Sequence, residues 1–205
     1  MKPFPTNESQ PEVAPLIERA PRAMTLLMTG KLLAGREEGL CRVRNLSATG
    51  MMIETRMTLQ IGQDVRVELR CTHDLAGRIV WTREGAAGIA FGLSIDVEAV
   101  LAAQAPTSRI VRSRMPRAPR LAAACAITID AQGDTHEGIL LDISQGGAKL
   151  RLPFQPARDE RLLLTIPDLP LKSGAVRWVR DGEVGLAFYE ALPFDMLAEW
   201  LDGRS

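Results

Sequence analysis

Four landmarks occur twice in this chain, in the same order and at almost the same separation. Arg19-Ala20-Pro21-Arg22 returns as Arg117-Ala118-Pro119-Arg120, and Asn45-Leu46-Ser47-Ala48-Thr49-Gly50 returns as Asp142-Ile143-Ser144-Gln145-Gly146-Gly147. Trp81 returns as Trp178, and Gly88-Ile89-Ala90-Phe91 as Gly185-Leu186-Ala187-Phe188. The first pair is offset by 98 positions and the other three by 97, so the internal spacing of each half is kept almost to the residue. One matched tetrapeptide is an accident; four in register are a tandem duplication. The 205 residues thus divide into two units of ordinary domain size, each able to bury its own core.

Within each half the pattern is that of strands. An extended segment follows each RAPR (Ala23 to Ala34, then Leu121 to Ala131), and turn residues follow at Gly35-Arg36-Glu37-Glu38 and Gln132-Gly133-Asp134. Short apolar runs then recur at intervals of about ten residues, the spacing of an antiparallel barrel or sandwich. Several alternate with period two: Ala148, Leu150 and Leu152 share a face, as do Met51, Ile53 and Thr55, and Val65, Val67 and Leu69. Ile139, Leu141 and Ile143 read as a fourth apolar face, yet Arg42 and Arg44 hold the matching places in the first half. A β-bulge is needed to reconcile the two. Asp96 to Gln104 and Pro193 to Leu201 read as helices, the first opened by a capping acid and the second by Pro193, with Gly203 beyond its end. Each Trp reads first as core or rim packing and second as a ligand contact.

Composition limits the function. With 25 basic and 25 acidic residues the chain has no net charge, which argues against a general grip on DNA or RNA. An aromatic content of 4% leaves little for base stacking, against a small-barrel RNA binder. Cys41, Cys71 and Cys125 show no CxxC spacing and read as free buried thiols of a reducing compartment. The opening residues lack the apolar core of a secretory signal and no run is long enough to span a bilayer, so the cytoplasm is the expected location, without membrane insertion. His73 and His136 read as surface residues in turns, and no GxSxG, Walker or GxGxxG element is present. Neither a catalytic role nor a metal or cofactor is expected.

The charges are unevenly spread: Arg109, Arg112, Arg114, Arg117 and Arg120 fall within twelve residues that contain no acid. They precede Asp142-x-Ser144-x-x-Gly147. In a strand, residues two apart face the same side, so the carboxylate and hydroxyl stand together, and Gly147 allows a tight, left-handed turn onward. A carboxylate can accept both N–H groups of a guanine edge, and a hydroxyl can donate to phosphate or base. Arginine supplies the complement, a planar fork for guanine O6/N7 or phosphate. The competing reading is structural: Asp and Ser holding a turn through Asx-type bonds, after a merely solvated linker.

The order of arginines, about 22 residues, (D/N)xSxxG, G-x-V-x-W and a glycine-started aromatic strand resembles the PilZ domain, a receptor module for the bacterial second messenger cyclic di-GMP. The resemblance covers nearly the whole chain as two copies. It implies an all-β fold with short helices: two tandem six-stranded antiparallel split β-barrels, each followed by a C-terminal helix. The expected divisions are a flexible segment at 1–18, a first barrel at 19–105, an arginine-rich connector or ligand arm at 106–119 and a second barrel at 120–205. Carried over, the ligand residues are Arg114, Arg117, Arg120, Asp142, Ser144 and Gly147, with Arg19, Arg22, Asn45, Ser47 and Gly50 as a weaker second set. Both copies depart from the family's RxxxR spacing, since Pro116 stands four before Arg120 and Glu18 four before Arg22. Arg112 or Arg114 can supply the missing fork only in the second copy. The expected function is therefore a cytoplasmic effector in which cyclic di-GMP orders the connector on the second barrel and alters contacts between barrels or with an unidentified protein partner. Motility or envelope polysaccharide synthesis is the implied output. The alternative is a degenerate tandem module that binds protein and no nucleotide.

Overall fold

The structure, a computed structural model, describes residues 28–70, 74–104 and 118–204. The first half folds as β1 (Met28–Ala34), β2 (Glu37–Ser47), β3 (Gly50–Thr55), β4 (Asp64–Leu69), β5 (Leu75–Arg83) and β6 (Ala86–Phe91), followed by helix α1 (Val97–Gln104). The second repeats it as β7 (Leu121–Ala131), β8 (Asp134–Ser144), β9 (Gly147–Arg151), β10 (Arg161–Thr165), β11 (Lys172–Arg180) and β12 (Glu183–Phe188), then α2 (Phe194–Asp202). Each set of six antiparallel strands closes into a barrel, in the orders β1-β2-β3-β6-β5-β4 and β7-β8-β9-β12-β11-β10. Closure leaves no unpaired strand edge.

Turn chemistry sets the hairpins. Gln132 and Gly133 both have positive φ (56° and 97°), as do Asp181 and Gly182 (52° and 74°). That geometry lets a two-residue loop follow the twist of its strands. Alternation then sends one face of every strand inward. Leu32, Cys41, Val43, Ile53, Val67 and Ile79 fill the first barrel, and Ile129, Leu140, Ile143, Leu150, Leu162 and Val176 the second.

The expected bulge is present in both halves, at Arg44 between β2 and β3 and at Leu141 between β8 and β9. It overturns one expectation. Ile139, Leu141 and Ile143 do not share the core face: Leu140 and Ile143 are fully buried, whereas Ile139 is 44% exposed. The bulged residue breaks the period of two, so Ile139 and Leu141 lie outward, as Arg42 and Arg44 do. His136 is also not in a turn; it lies within β8, half-buried, with its ring 4.3 Å from that of Phe154. Cys41 is wholly buried, which pushes its thiol up to about 12, while Cys125 is only half-buried. His73 and Cys71 lie outside the described residues.

The helices close the units differently. Asp96 Oδ1 accepts the Ala99 N–H at 3.0 Å and so caps α1. Helix α2 buries Leu197, Ala198 and Trp200, and the Trp200 indole donates to the Pro167 carbonyl at 2.7 Å. It also docks on the first barrel. Leu40, on the outer face of β2, is 3% exposed and belongs to the apolar cluster of the second barrel. The Arg42 guanidinium sits 4.2 Å over the Phe194 ring and 3.7 Å from Asp195. Glu38 accepts the Ala122 N–H at 2.6 Å across the same junction.

Candidate ligand-binding site

The two (D/N)xSxxG segments fold into the same hairpin. Ser144 pairs with Gly147, and Ser47 with Gly50, so two residues form each loop. The Ser144 hydroxyl donates to the Gly147 carbonyl at 3.1 Å, and that of Ser47 to the Gly50 carbonyl at 3.0 Å. Each loop is pinned to the end of β12 or β6 and to the lead into the helix. Gly146 and Gln145 carbonyls accept the Phe188 and Leu192 N–H groups (3.0 and 2.7 Å); Thr49 and Ala48 carbonyls accept those of Phe91 and Ile95 (both 2.9 Å). The serine proton is thus engaged in holding the turn, which is the structural role weighed from sequence; its oxygen lone pairs remain acceptors.

Gly147 is needed for a reason other than the expected one. Its φ is not in the left-handed region; instead a Cβ there would lie 2.2 Å from the Leu186 carbonyl oxygen. Gly50 meets the Ile89 carbonyl in the same way, at 2.4 Å. The glycine lets β12 or β6 pass close against the hairpin.

Asp142 stands just after the bulge, half-buried, and its Oδ1 lies 3.0 Å from Arg120 Nη1. Arg120 itself immediately precedes β7. The structure therefore brings the arginine that follows the connector onto the carboxylate of the motif, 22 residues away in sequence. Arg114 and Arg117, with Arg19 and Arg22 of the first half, lie outside the described residues.

Strand register extends the site beyond the motif. Asp142 is opposite Lys149, Lys149 opposite Gly185, and Gly185 opposite Trp178, a row across four strands on the outer face. Lys149 Nζ pairs with Glu183 at 2.9 Å and Arg151 with the same carboxylate at 3.4 Å. The hydrogen bond from Lys149, above all, holds the Glu183 carboxyl below its ordinary value. The Trp178 indole lies over Gly185, where a Cβ would be 2.0 Å from its Nε1. Trp81 covers Gly88 identically, and both rings are half-buried on the outer face rather than in a core. In the first barrel the equivalent row is Asn45, Met52, Gly88 and Trp81. Lys149 and Glu183 escaped the motif reading although they were accessible to it, because a two-residue loop at Gln145-Gly146 dictates that Asp142 faces Lys149. Among the described residues no cluster of three metal-ligating side chains occurs, and no helix is long and apolar enough to cross a membrane.

The PilZ domain model matches this sequence twice, over residues 17–104 and 114–201. The chain belongs to the PilZ domain family. Among solved structures it is similar to the PlzA protein of Borreliella burgdorferi in complex with c-di-GMP, at 10% identity and a TM-score of 0.36, covering 85% of this chain and 86% of that one. It is similar also to the Bacillus subtilis inhibitor of motility MotI/DgrA, at 15% identity and a TM-score of 0.35, with 88% and 97% covered. The MrkH–c-di-GMP complex of K. pneumonia shows 12% identity and a TM-score of 0.36, with 87% of each chain covered. No curated protein sequence matches.

Proposed function

We propose that this PilZ-family chain is a non-catalytic receptor for cyclic di-GMP, and that its second barrel is the binding unit. The observation that carries the reading is the Arg120–Asp142 ion pair beside the motif hairpin. Each partner is the kind of group that the other's place on a guanine dinucleotide demands. The carboxylate accepts two guanine N–H groups; the guanidinium pairs with O6/N7 or with phosphate. Without ligand the two satisfy each other, and the dinucleotide inserts by exchanging one charge-assisted contact for several. Arg114 and Arg117 supply further positive charge, Gly147 gives backbone access, and Ser144 fixes the turn and offers acceptor lone pairs. Trp178, in the same row, offers a plane for a purine.

The connector that carries these arginines also joins the barrels, so drawing it onto the second barrel resets how the two face each other. The readout is altered contact with a protein partner in the cytoplasm, and motility or envelope polysaccharide synthesis is the output that PilZ membership suggests. Calorimetry with cyclic di-GMP tests this. Wild type binds, whereas Arg120→Ala and Asp142→Ala each weaken binding at least about tenfold, the value of one lost charged hydrogen bond. Equal heats for all three proteins would remove the ion pair from the mechanism. A second reading, a protein-binding module without nucleotide, is favoured by Pro116 in the RxxxR position. Absence of any thermal shift at high dinucleotide concentration would select it.

A further inference from the structure

We infer that Arg70, a residue of the first barrel, belongs to the ligand site of the second and binds a phosphate of the dinucleotide; this rests on the receptor reading above. A cleft of about 230 Å³ opens between the barrels. Thr29, Arg70 and Gln104 line it from the first half, and Ala118, Pro119 and Gln145 from the second. Its second wall is made of candidate-site neighbours: Ala118 and Pro119 lead directly into Arg120, and Gln145 is the loop residue between Ser144 and Gly147. The two walls are tied together, since the Thr29 hydroxyl donates to Gln145 Oε1 at 3.0 Å. Gln145 is held in turn through its Nε2, which donates to the Leu192 carbonyl at 3.1 Å. The cleft therefore adjoins Arg120 and the hairpin as a fixed part of the fold.

Its chemistry selects an anion. Arg70 is exposed, and among the described residues no carboxylate lies within ion-pair distance of it. Arg66 of β4 and Arg78 of β5, by contrast, are paired with Asp74 and Asp64. Among the described residues the rest of the lining is amide, hydroxyl and apolar, with no acid. An unneutralised guanidinium in a concave site raises the local potential for a phosphate and offers it a bidentate fork. The Gln104 amide donates to the Arg70 carbonyl, which positions that backbone at the mouth. The volume is below that of a typical whole-ligand pocket, so the cleft takes one phosphate while the guanines lie on the second barrel. Arg70 has no counterpart in the duplication, because the position 97 residues later is Pro167.

Calorimetry with cyclic di-GMP on the full chain tests the assignment, using wild type, Arg70→Ala and Arg70→Lys. The expected result is about tenfold weaker binding for Arg70→Ala, partial recovery in Arg70→Lys, and a difference that shrinks as salt is raised. Thermal midpoints of the free proteins should agree, since among the described residues the side chain has no ion pair that holds the fold. Wild-type affinity in Arg70→Ala would overturn the inference and leave the receptor reading intact. No binding by wild type would overturn both.

Discussion

Glycine 147 shows how a motif residue can be structural and still serve recognition. Sequence reading assigned it a left-handed turn, but the structure assigns it a close approach, with a Cβ position 2.2 Å from the Leu186 carbonyl. That carbonyl belongs to a barrel strand paired on both sides, so it cannot retreat without breaking ladder bonds. Gly147→Ala is therefore expected to cost about 1–3 kcal/mol, the range for overpacking, and to lower the thermal midpoint by several degrees. Gly146→Ala is the control, since a Cβ there meets nothing within 4 Å and its φ is not left-handed. Equal midpoints for the two variants would refute the close-approach argument. The requirement was visible in sequence as a glycine, but not its cause, which depends on Leu186, 39 residues further along the chain. The Arg120–Asp142 ion pair was not legible: the resemblance named both residues as ligand contacts, but that they meet each other depends on β7 and β8 being paired.

Strands and hairpins were read well where alternation was unbroken, as in Ala148, Leu150 and Leu152, all buried. The reading failed at Leu141 because a bulge is a backbone event, and no side-chain period announces where the extra residue sits. Only the clash between Arg44 and Leu141, at matching places in the repeat, betrayed it. Helix α2 presents a second lesson, since its amphipathic pattern says that it buries one face but not on what. Part of the answer is the other barrel, through Leu40 from β2. Leu40 points away from its own barrel's core, yet it is 3% exposed. Truncation to Leu40→Ala should then cost about 2 kcal/mol or more, as buried leucines do, and the loss should be felt in the second barrel. Hydrogen exchange would report it as faster amide exchange in α2. Unchanged protection in α2 would mean that docking of the helix on β2 contributes nothing to its stability.

The duplication made two barrels of one topology, but their surfaces beside the motif have diverged. Strand register aligns Asp142, Lys149 and Glu183 with Asn45, Met52 and Ala86, so three charged positions beside the motif in the second barrel are neutral in the first. An asparagine carboxamide offers one acceptor oxygen where a carboxylate offers two, and it carries no charge to hold an arginine near it. Among the described residues, the cations flanking Asn45 on β2 are otherwise engaged: Arg44 with Glu54, and Arg42 with Glu54, Asp195 and the Phe194 ring. The junction thus occupies Arg42, while Arg44 is held within the first barrel by Glu54. One copy has become a docking platform while the other keeps the chemistry of a guanine site. Asp142→Ala should accordingly weaken binding of cyclic di-GMP at least about tenfold, whereas Asn45→Ala should bind with wild-type affinity and stoichiometry. A reduced stoichiometry in Asn45→Ala would show that the first barrel holds ligand too, and the division of labour between the copies would fall.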